Sequence, residues 1–248
     1  MATTNNKNRV IVLVDGFNLY HAIHDLDKDP ASKRPTNSKH HLKWLNLWSL
    51  SKALVHPTKD ELVGGYYFSA YAKWIDVGAQ SRHRDYVSAL KSTGMTAVLG
   101  TFKEKPRKCP KCKHGWMGHE EKESDVNLAI YLVELAHKNA FDKAIIFTAD
   151  TDLAPAIRMV KSSFPTKELQ VAIPQQRLGK SNALVASAHG RIKLTEAHFE
   201  KNLFPEKVTL ASGAEISRPA KYQPPAVPAM ALALQAAIAN PAQATAAT

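Results

Sequence analysis

The sequence predicts a three-layer α/β fold, in which a parallel sheet is covered by helices on both faces. One observation is the continuous apolar run of residues 10–14, the pattern of a strand buried on both sides. Another is that similar runs alternate with stretches of helical periodicity over residues 9–203. The hydrophobic content of 44% is sufficient for a core and excludes wholesale disorder.

The predicted elements follow one another as strand and helix, with two interruptions. The strands are predicted at residues 10–14, 64–71, 95–102, 144–148 and 169–173. The helices are predicted at residues 45–55, 82–92, 126–136 and 153–160. One interruption, residues 28–43, is a basic polar loop that reads as solvated or as a second wall of a binding groove. The other, residues 103–121, is a small insertion loop that contains both cysteines.

We predict one domain over residues 1–204 and a disordered tail over residues 205–248. The tail contains 14 Ala and 6 Pro, with Tyr222 as its one aromatic residue. Such a composition buries too little apolar surface to offset the entropy of ordering the chain. Residues 230–239 favour a transient helix at most.

The charge balance bears on the partner. There are 33 Lys+Arg and 22 Asp+Glu, so the formal charge is +11, which favours a polyanionic partner. Two cysteines are too few for a disulfide-stapled secreted scaffold. The first residues have no apolar stretch typical of a signal peptide, and no run approaches the roughly 18 apolar residues of a membrane helix. We therefore expect a cytoplasmic protein without a membrane partner.

Acidic residues follow the predicted strands. Asp15 comes after the first strand, Asp150 and Asp152 come after the fourth, and Asp125 opens a helix. Asp125 and Asp152 could each be an ordinary helix cap. Ligands of parallel sheets bind beyond the carboxyl ends of the strands, where crowded carboxylates repel one another unless a cation joins them. Hard oxygen ligands suit Mg²⁺ or Mn²⁺, so we favour a metal site.

Three motifs carry a family resemblance: VDGFNLY from Val14, K-x-x-D from Lys122 to Asp125, and TADTDL from Thr148. Together they resemble the NYN domain of the PIN-like nuclease superfamily, which includes LabA-like bacterial proteins. The resemblance implies a PIN-like, Rossmann-like sheet whose acidic residues gather one or two divalent metals and cut RNA. The residues implied by position are the acidic cluster Asp15, Asp125, Asp150 and Asp152, with Asn18 beside it and Lys122 at its edge.

The sequence departs from the family pattern at two positions. Tyr131 stands where many members have a further Asp, and Thr148 stands where many have Ser. The chemistry that the remaining residues support is phosphodiester hydrolysis. A metal held by Asp15 and Asp150 would activate a water, while a second ion or Lys122 would neutralise the leaving side.

The insertion contains a candidate zinc site. Cys109 and Cys112 form a C-x-x-C turn, and His114 and His119 are candidates for the two further ligands of a tetrahedral structural zinc. The alternatives are a redox pair and two incidental thiols. A redox C-x-x-C normally opens a helix, whereas this one lies in a Lys-, Gly- and Pro-rich segment.

The same insertion is rich in basic residues. Basic side chains interleaved with an aromatic ring are typical of grooves for single-stranded nucleic acid, in which charge meets phosphate and rings stack on bases. A solvated loop with the aromatic ring packed inward is the alternative. The candidate nucleic-acid-binding residues are Lys103, Lys105, Arg107, Lys108, Lys111, Lys113 and Trp116.

Two functions remain open from the sequence. The first is a metal-dependent, endonucleolytic ribonuclease that acts on single-stranded or loop RNA. The second is a catalytically inactive PIN-like protein that binds RNA or serves as an adaptor. A small-molecule phosphatase fares worse, because no D-x-D pair follows the first strand and its substrates would not explain a charge of +11.

Overall fold

A computed structural model describes residues 7–29 and 31–225. Its main sheet has seven strands in the order β4-β3-β2-β1-β5-β6-β7, all neighbours being parallel except β3 and β4. These strands are Asn8–Asp15 (β1), Asp60–Ala70 (β2), Met95–Lys108 (β3), Gly115–Lys122 (β4), Lys143–Phe147 (β5), Glu168–Pro174 (β6) and Gly190–Leu194 (β7). A separate hairpin consists of Lys207–Thr209 (β8) and Glu215–Ser217 (β9).

Helices cover both faces of the main sheet, which confirms the predicted three-layer α/β architecture. They are Gly16–Leu26 (α1), Leu47–Leu54 (α2), Val77–Ser92 (α3), Ser124–His137 (α4), Ala154–Ser163 (α5), Asn182–Ser187 (α6) and Glu196–Glu200 (α7). Successive side chains of a strand point to opposite faces. Val10, Val12 and Val14 accordingly pack in the core beneath α1, α2 and α3, while Ile11 and Leu13 pack in the core beneath α4 and α5.

The strand order places a crevice at the centre of the sheet. From β1 the chain first moves outward through β2 and β3, and it later returns to the other side of β1 with β5 and β6. The strand order therefore reverses between β1 and β5, and the helices that follow these two strands leave on opposite faces. Open α/β sheets bind ligands at such a switch point, beyond the carboxyl ends of the strands.

The predicted insertion loop is a β-hairpin. Strand β3 continues to Lys108, six residues past the predicted end, and pairs with β4 in antiparallel register from Thr101 opposite Lys122 to Lys108 opposite Gly115. The turn closes where Cys109 N–H donates to the carbonyl of His114 at 2.8 Å. The sequence hid both arms because neither has an apolar run. The extension of β3 is mostly charged and exposed, and β4 is a half-exposed strand of mixed residues. Strand β7 was also missed, since it is a half-exposed edge strand.

Part of the predicted tail, residues 205–225, is packed against the domain. Trp44 Nε1 donates to the carbonyl of Pro205 at 2.9 Å, and Val208 in β8 is buried in the core. Ile216 and Tyr222 pack against the same core. These three apolar residues are widely spaced in a polar segment, and they become a docking face only when the hairpin folds onto the domain. The predicted transient helix at residues 230–239 lies outside the described residues.

The basic segment at residues 28–43 is more structured than a solvated loop. It ends in a 3-10 helix, His40–Lys43, in which His41, Leu42 and Lys43 are buried. Leu42 and Trp44 contribute to the core beneath α1, which draws the preceding polar residues onto the domain. No helix in the described ranges is long and apolar enough to cross a membrane.

Candidate active site

Asp15 is held at the end of β1 by two hydrogen bonds. Its Oδ1 accepts from the backbone N–H of Asn18 at 2.9 Å and so caps α1, while its Oδ2 accepts from Thr148 Oγ1 at 2.9 Å. The next residue must be glycine, because a Cβ on Gly16 would lie 2.6 Å from the carbonyl oxygen of Phe68. Close contact between α1 and β2 therefore fixes the direction of the Asp15 side chain, which is 4% exposed.

Thr148 connects the two strand-end acids. Its Oγ1 donates to Asp15 and accepts from the backbone N–H of Asp150 at 3.0 Å. Asp150 in turn caps the 3-10 helix Thr151–Leu153, since its Oδ1 accepts from the N–H of Asp152 at 2.9 Å. The hydroxyl group explains why Thr can stand in place of Ser at this position.

A strained turn brings a third acid to the same place. Glu123 has φ 82°, a left-handed conformation that is uncommon for a side chain with a Cβ, and it turns the chain from β4 into α4. Ser124 N–H then donates to Glu121 Oε1 at 3.0 Å, and Asp125 lies in the first turn of α4. Gly100 permits this approach, because a Cβ there would lie 2.5 Å from the carbonyl oxygen of Lys122.

The acidic side chains at the switch point line one pocket of about 220 Å³, called the acid pocket below. Of the residues selected from the sequence, Asp15, Asn18, Asp125 and Asp150 line it. Asp152 is solvent-exposed on the rim and does not line the pocket. The other lining residues are Phe17, His21, Glu121 and Arg177.

Lys122 points away from the pocket. Its Nζ donates to Glu120 Oε1 at 2.8 Å, on the face of the β3–β4 hairpin opposite to that of Glu121. The resemblance had placed Lys122 at the edge of the acidic cluster, and the alternation of side chains along β4 removes it from there. Arg177 is the cation that lines the pocket instead, with Nη1 3.3 Å from Asn18 Oδ1 and Nη2 3.0 Å from Asp25 Oδ2.

The pocket carboxylates have no basic partner. Within residues 7–29 and 31–225, no Lys, Arg or His nitrogen lies within 4 Å of a carboxylate of Asp15, Asp125, Asp150 or Glu121. Burial, with the charges of Asp125 and Asp150 adding to it, raises the pKa of Asp15 to about 7. Burial and then the charge of Asp150 raise the pKa of Asp125 to about 6. A cation at this position would relieve both effects.

The donor set fits a hard divalent cation. Carboxylate oxygens are the ligands that Mg²⁺ and Mn²⁺ prefer. Burial, with the charges of neighbouring acids, raises the pKa of Asp15 and Asp125, and a bound cation would oppose this effect. Across the described part of the chain, however, no three His, Cys, Asp or Glu side chains are gathered closely enough to hold a metal ion as they stand. The acids share a pocket, and their side chains would have to converge on an ion.

Three polar pocket residues were not selected from the sequence. Glu121 would have been found if β4 had been recognised, because it lies four residues before Asp125 on the strand that leads into α4. Arg177 follows β6, so its signal was its position after a strand that ends at the same edge of the sheet. His21 lies one turn after Asn18 on α1, which brings it to the same face of the helix.

The four predicted zinc ligands are not brought together. Cys109, Cys112 and His114 lie in the hairpin turn, whereas His119 lies on β4 opposite Glu104. The His119 ring stacks on Trp74 with centroids 3.7 Å apart. Four residues of extended strand, 115–118, lie between His114 and His119. These five residue steps correspond to about 16 Å, so His119 cannot share an ion with the cysteines. Zinc binding itself stays a prediction, and in this geometry His119 would not take part in it.

The predicted nucleic-acid-binding residues are exposed along the hairpin. Lys103, Lys105, Arg107 and Trp116 share one face, because Arg107 pairs with Trp116 and side chains alternate along each strand. Lys108 belongs to the other face, and Lys111 and Lys113 lie in the turn. The face with Trp116 is opposite to the one with Glu121, so the basic face does not form a wall of the acid pocket.

Two similar proteins can be compared with this chain. A stretch of 86 residues is 35% identical to 6-hydroxy-3-succinoylpyridine 3-monooxygenase HspA of Pseudomonas putida, and it covers 34% of this chain and 27% of that protein. The chain therefore matches about a quarter of the length of this curated relative. A solved structure of a protein of unknown function from Vibrio parahaemolyticus has a TM-score of 0.49 and 17% identity, over 82% of this chain and 100% of that one.

The sequence profile of the NYN domain matches residues 9–195. The matched region runs from β1 to the end of β7, and it includes every residue that lines the acid pocket. Because this region is well over half of the 248 residues, the chain belongs to the NYN domain family.

Proposed function

We propose that the protein is a divalent-metal-dependent ribonuclease that cuts single-stranded or loop RNA endonucleolytically. NYN domains are generally nucleases of the PIN-like kind, which supports a hydrolase. The observation that carries the proposal is the acid pocket at the switch point. Asp15, Asp125 and Asp150 face one space there, and no basic side chain of the described residues pairs with them. Carboxylates crowded in one pocket repel one another unless a cation joins them. We therefore expect this pocket to hold a cation, although the chain as a whole has a charge of +11.

Asp15, Asp125 and Asp150 would hold Mg²⁺ or Mn²⁺, with Glu121 beside them. When bound, such an ion lowers the pKa of a coordinated water and neutralises charge on a phosphodiester. The chain itself supplies the positioning. The Thr148 hydroxyl group donates to Asp15 and accepts from the backbone N–H of Asp150, and so holds the two acids at a fixed relative position.

Arg177 and Asn18 define the side of the pocket on α1. The Arg177 guanidinium is fixed by Asn18 and Asp25, so it presents positive charge to the pocket in one orientation. An RNA phosphate that enters between Arg177 and the acids would be oriented by this guanidinium. Arg177 would thus take the charge-neutralising role that the sequence suggested for a second ion or Lys122.

The RNA itself would be held mainly by the hairpin. Lys103, Lys105 and Arg107 are exposed on one face together with Trp116, whose side chain can stack on a base. Because this face is turned away from Glu121, the strand must bend around the hairpin edge to reach the acid pocket. Flexible single strands and loops can follow such a path, whereas a stiff duplex cannot.

A circular single-stranded RNA gives the sharpest test, because it has no ends and only an endonuclease can open it. The purified protein should linearise the circle with Mn²⁺ or Mg²⁺, and EDTA should stop the reaction. A fully base-paired duplex of the same length serves as the control substrate and should be cut far more slowly. If no divalent ion supports cleavage of any of these RNAs, the nuclease proposal is wrong.

One observation favours the inactive RNA-binding or adaptor protein as a second candidate. In the described ranges the acids are not gathered closely enough to hold a metal without movement. For such a protein the circular RNA would bind and remain intact with every divalent ion. The same preparation therefore separates the two functions, when a filter-binding titration is run beside the cleavage assay.

The name of the curated relative raises a third candidate, an enzyme that acts on a small aromatic acid. The match covers only 34% of this chain, so the name alone does not carry that activity over. The feature of this chain that bears on it is a second cavity, on the other side of α1. For this third candidate, a small pyridine carboxylate would bind in that cavity.

A further inference from the structure

A second and larger cavity, of about 470 Å³, lies on the other side of α1. Its walls come from α1, the end of β2, α3 and the segment around His40–Lys43, and the 3-10 helix Ala220–Tyr222 forms one further wall. Cavities of about 300–1,000 Å³ are the usual size for small-molecule sites. Neither the acids nor the basic hairpin contributes to its lining.

Aromatic rings line this cavity. Tyr67 and Tyr86 meet edge to face with centroids 6.0 Å apart, and Tyr20 and Tyr222 line other parts of the wall. The Tyr86 hydroxyl is already satisfied, since it donates to the carbonyl of Leu45 at 2.9 Å. Rings held in this way provide flat apolar surfaces against which another planar ring can pack.

The cavity is also cationic. Lys43, Arg82 and Lys221 line it, and no Asp or Glu does so within the described residues. Asp27, the acid whose charge acts on Lys43, is held by His40, whose Nε2 lies 2.6 Å from Asp27 Oδ2. The cavity therefore offers up to three positive charges to an occupant, and among the described residues no carboxylate lines it.

Lys43 is the most informative of these cations. The residue is 9% exposed, and no carboxylate of the described chain lies within 4 Å of its Nζ. Its neighbours are His24 Nδ1 at 3.3 Å and the Tyr20 ring, whose centroid is 5.2 Å away. Burial lowers the pKa of Lys43 accordingly. A buried ammonium group without a carboxylate is costly, and an anionic occupant would supply the missing partner.

The cavity adjoins the acid pocket. Phe17 lines both spaces, and Gly16, which lines the cavity, directly follows Asp15. The Phe17 ring is held in place by Phe102, edge to face at 5.6 Å. An occupant of the cavity would therefore lie one side chain away from the acids.

We propose that the cavity binds one nucleotide of the RNA substrate, with its base among the tyrosine rings and its phosphate against Lys43 and Arg82. A nucleotide combines a planar ring with a phosphate, which matches both the rings and the number of cations better than a monocarboxylate does. Its neighbour in the chain would then extend past Phe17 into the acid pocket. The inference rests on the proposed function only in naming RNA as the source of the nucleotide.

Calorimetric titration of the full chain with UMP and AMP, in EDTA, tests the cavity without any metal or turnover. Lys43→Met keeps the length of the side chain and removes its charge. It should weaken binding of the mononucleotide about tenfold or more, as expected when a charged hydrogen bond is removed. Lys52→Met is the matched control, because Lys52 also lies over an aromatic ring, with Nζ 5.7 Å from the Trp48 centroid, but outside the cavity. It should bind like wild type.

A second arm distinguishes a free nucleotide from one within RNA. Lys43→Met should raise KM for a short single-stranded RNA and leave kcat nearly unchanged, whereas removal of an acid should lower kcat. If KM is unchanged while UMP or AMP still binds, the cavity is not a substrate subsite and the proposal is wrong. Thermal unfolding of each variant verifies that it is folded.

The remaining outcomes are equally decisive. The proposal is overturned if neither nucleotide binds at millimolar concentration, or if Lys43→Met binds both as wild type does. It is also overturned if 6-hydroxynicotinate, a pyridine carboxylate, binds more tightly than both nucleotides in a Lys43-dependent way. None of these results depends on cleavage, so failure of the nuclease proposal would leave the binding measurements intact.

Discussion

The carboxylates at the two edges of the sheet differ in whether basic side chains pair with them. At the amino edge, Arg9 Nη2 lies 2.8 Å from Asp142 Oδ1, and Lys143 Nζ lies 3.1 Å from Asp60 Oδ2. At the carboxyl edge, Asp15, Asp125 and Asp150 have no such partner within the described part of the chain. The chain has 11 more basic than acidic side chains. The difference between the edges therefore comes from where the basic side chains lie and not from a shortage of them.

The pKa values follow the same division. The hydrogen bond from Arg9 lowers the pKa of Asp142. Burial opposes ionisation of Asp60, but hydrogen bonds from Asn8, the backbone of His56 and Lys143 outweigh it and lower the pKa. At the other edge, burial raises the pKa of Asp15 and Asp125. Basic side chains of the chain pair with the carboxylates at the amino edge, whereas no basic side chain of the described residues pairs with those at the carboxyl edge.

The largest expected effect is on activity. Asp150→Asn should lower the rate of RNA cleavage about a thousandfold, because metal stabilisation of a transition state is worth several kcal/mol and each 1.36 kcal/mol is about tenfold. RNA affinity should be unchanged or slightly higher, since a repulsive charge is gone. Asp142→Asn at the opposite edge is the control and should cleave like wild type. Equal rates for the two variants, in a gel-based assay, would remove the functional difference between the edges.

Stability should change in opposite directions at the two edges. Asp60→Asn should cost about 2 kcal/mol, the usual worth of hydrogen bonds to a charged group. Asp125→Asn should stabilise the metal-free protein by about 1 kcal/mol at pH 8, a value discounted for the partial exposure of Asp125. Urea unfolding in EDTA measures both. Destabilisation by Asp125→Asn would mean that its charge is already compensated.

The pH dependence should also divide the edges. The pKa of Asp15 rises from 3.8 to about 7 on folding, so its favourable contribution is complete below pH 3.8 and is lost as pH rises to about 7. Asp142 has a lowered pKa, so its contribution is present above pH 3.8 and is lost only in acid.

The contribution of Asp15 and Asp125 to the stability of the metal-free protein should therefore be lost between about pH 4 and pH 7. Asp125→Asn should flatten this loss, and Asp142→Asn should leave it unchanged. Thermal unfolding at several pH values in EDTA, repeated with Mn²⁺, provides the measurement. The same pH dependence for wild type and Asp125→Asn in EDTA would contradict the assignment of Asp125, because the comparison cancels the contribution of buried histidines such as His83.

The smallest expected effect concerns the hairpin. Removal of one lysine or arginine that binds a phosphate should flatten the log–log salt dependence of binding to single-stranded RNA by roughly 0.7. Replacing exposed lysines away from the hairpin, such as Lys91 and Lys138, should leave the slope unchanged. Filter binding at several salt concentrations gives the slopes, and identical values would exclude the hairpin as the RNA-binding surface. The variant to be compared with wild type carries alanine at Lys103, Lys105, Arg107 and Lys108.

Much of the acid pocket could be predicted from the sequence, because strand ends are marked by the change from apolar to polar residues. Asp15 and Asp150 follow such runs, and parallel neighbouring strands must end at the same edge. Glu121 could not be selected in the same way, since its strand is charged and half-exposed. Arg177 was hidden because its role depends on contact with Asn18 on another element.

The sequence by itself determined the layers of this protein and the position of its acids, because the apolar period of each segment decides which side of an element is buried. The tertiary structure decided which other side chains lie beside those acids. The alternation of side chains along β4 brought Glu121 to the pocket and turned Lys122 away from it. Folding of the segment after Pro205 brought Tyr222 to the larger cavity, which no local sequence pattern predicts. Both outcomes depend on pairing between segments far apart in the chain, which local composition and periodicity do not specify.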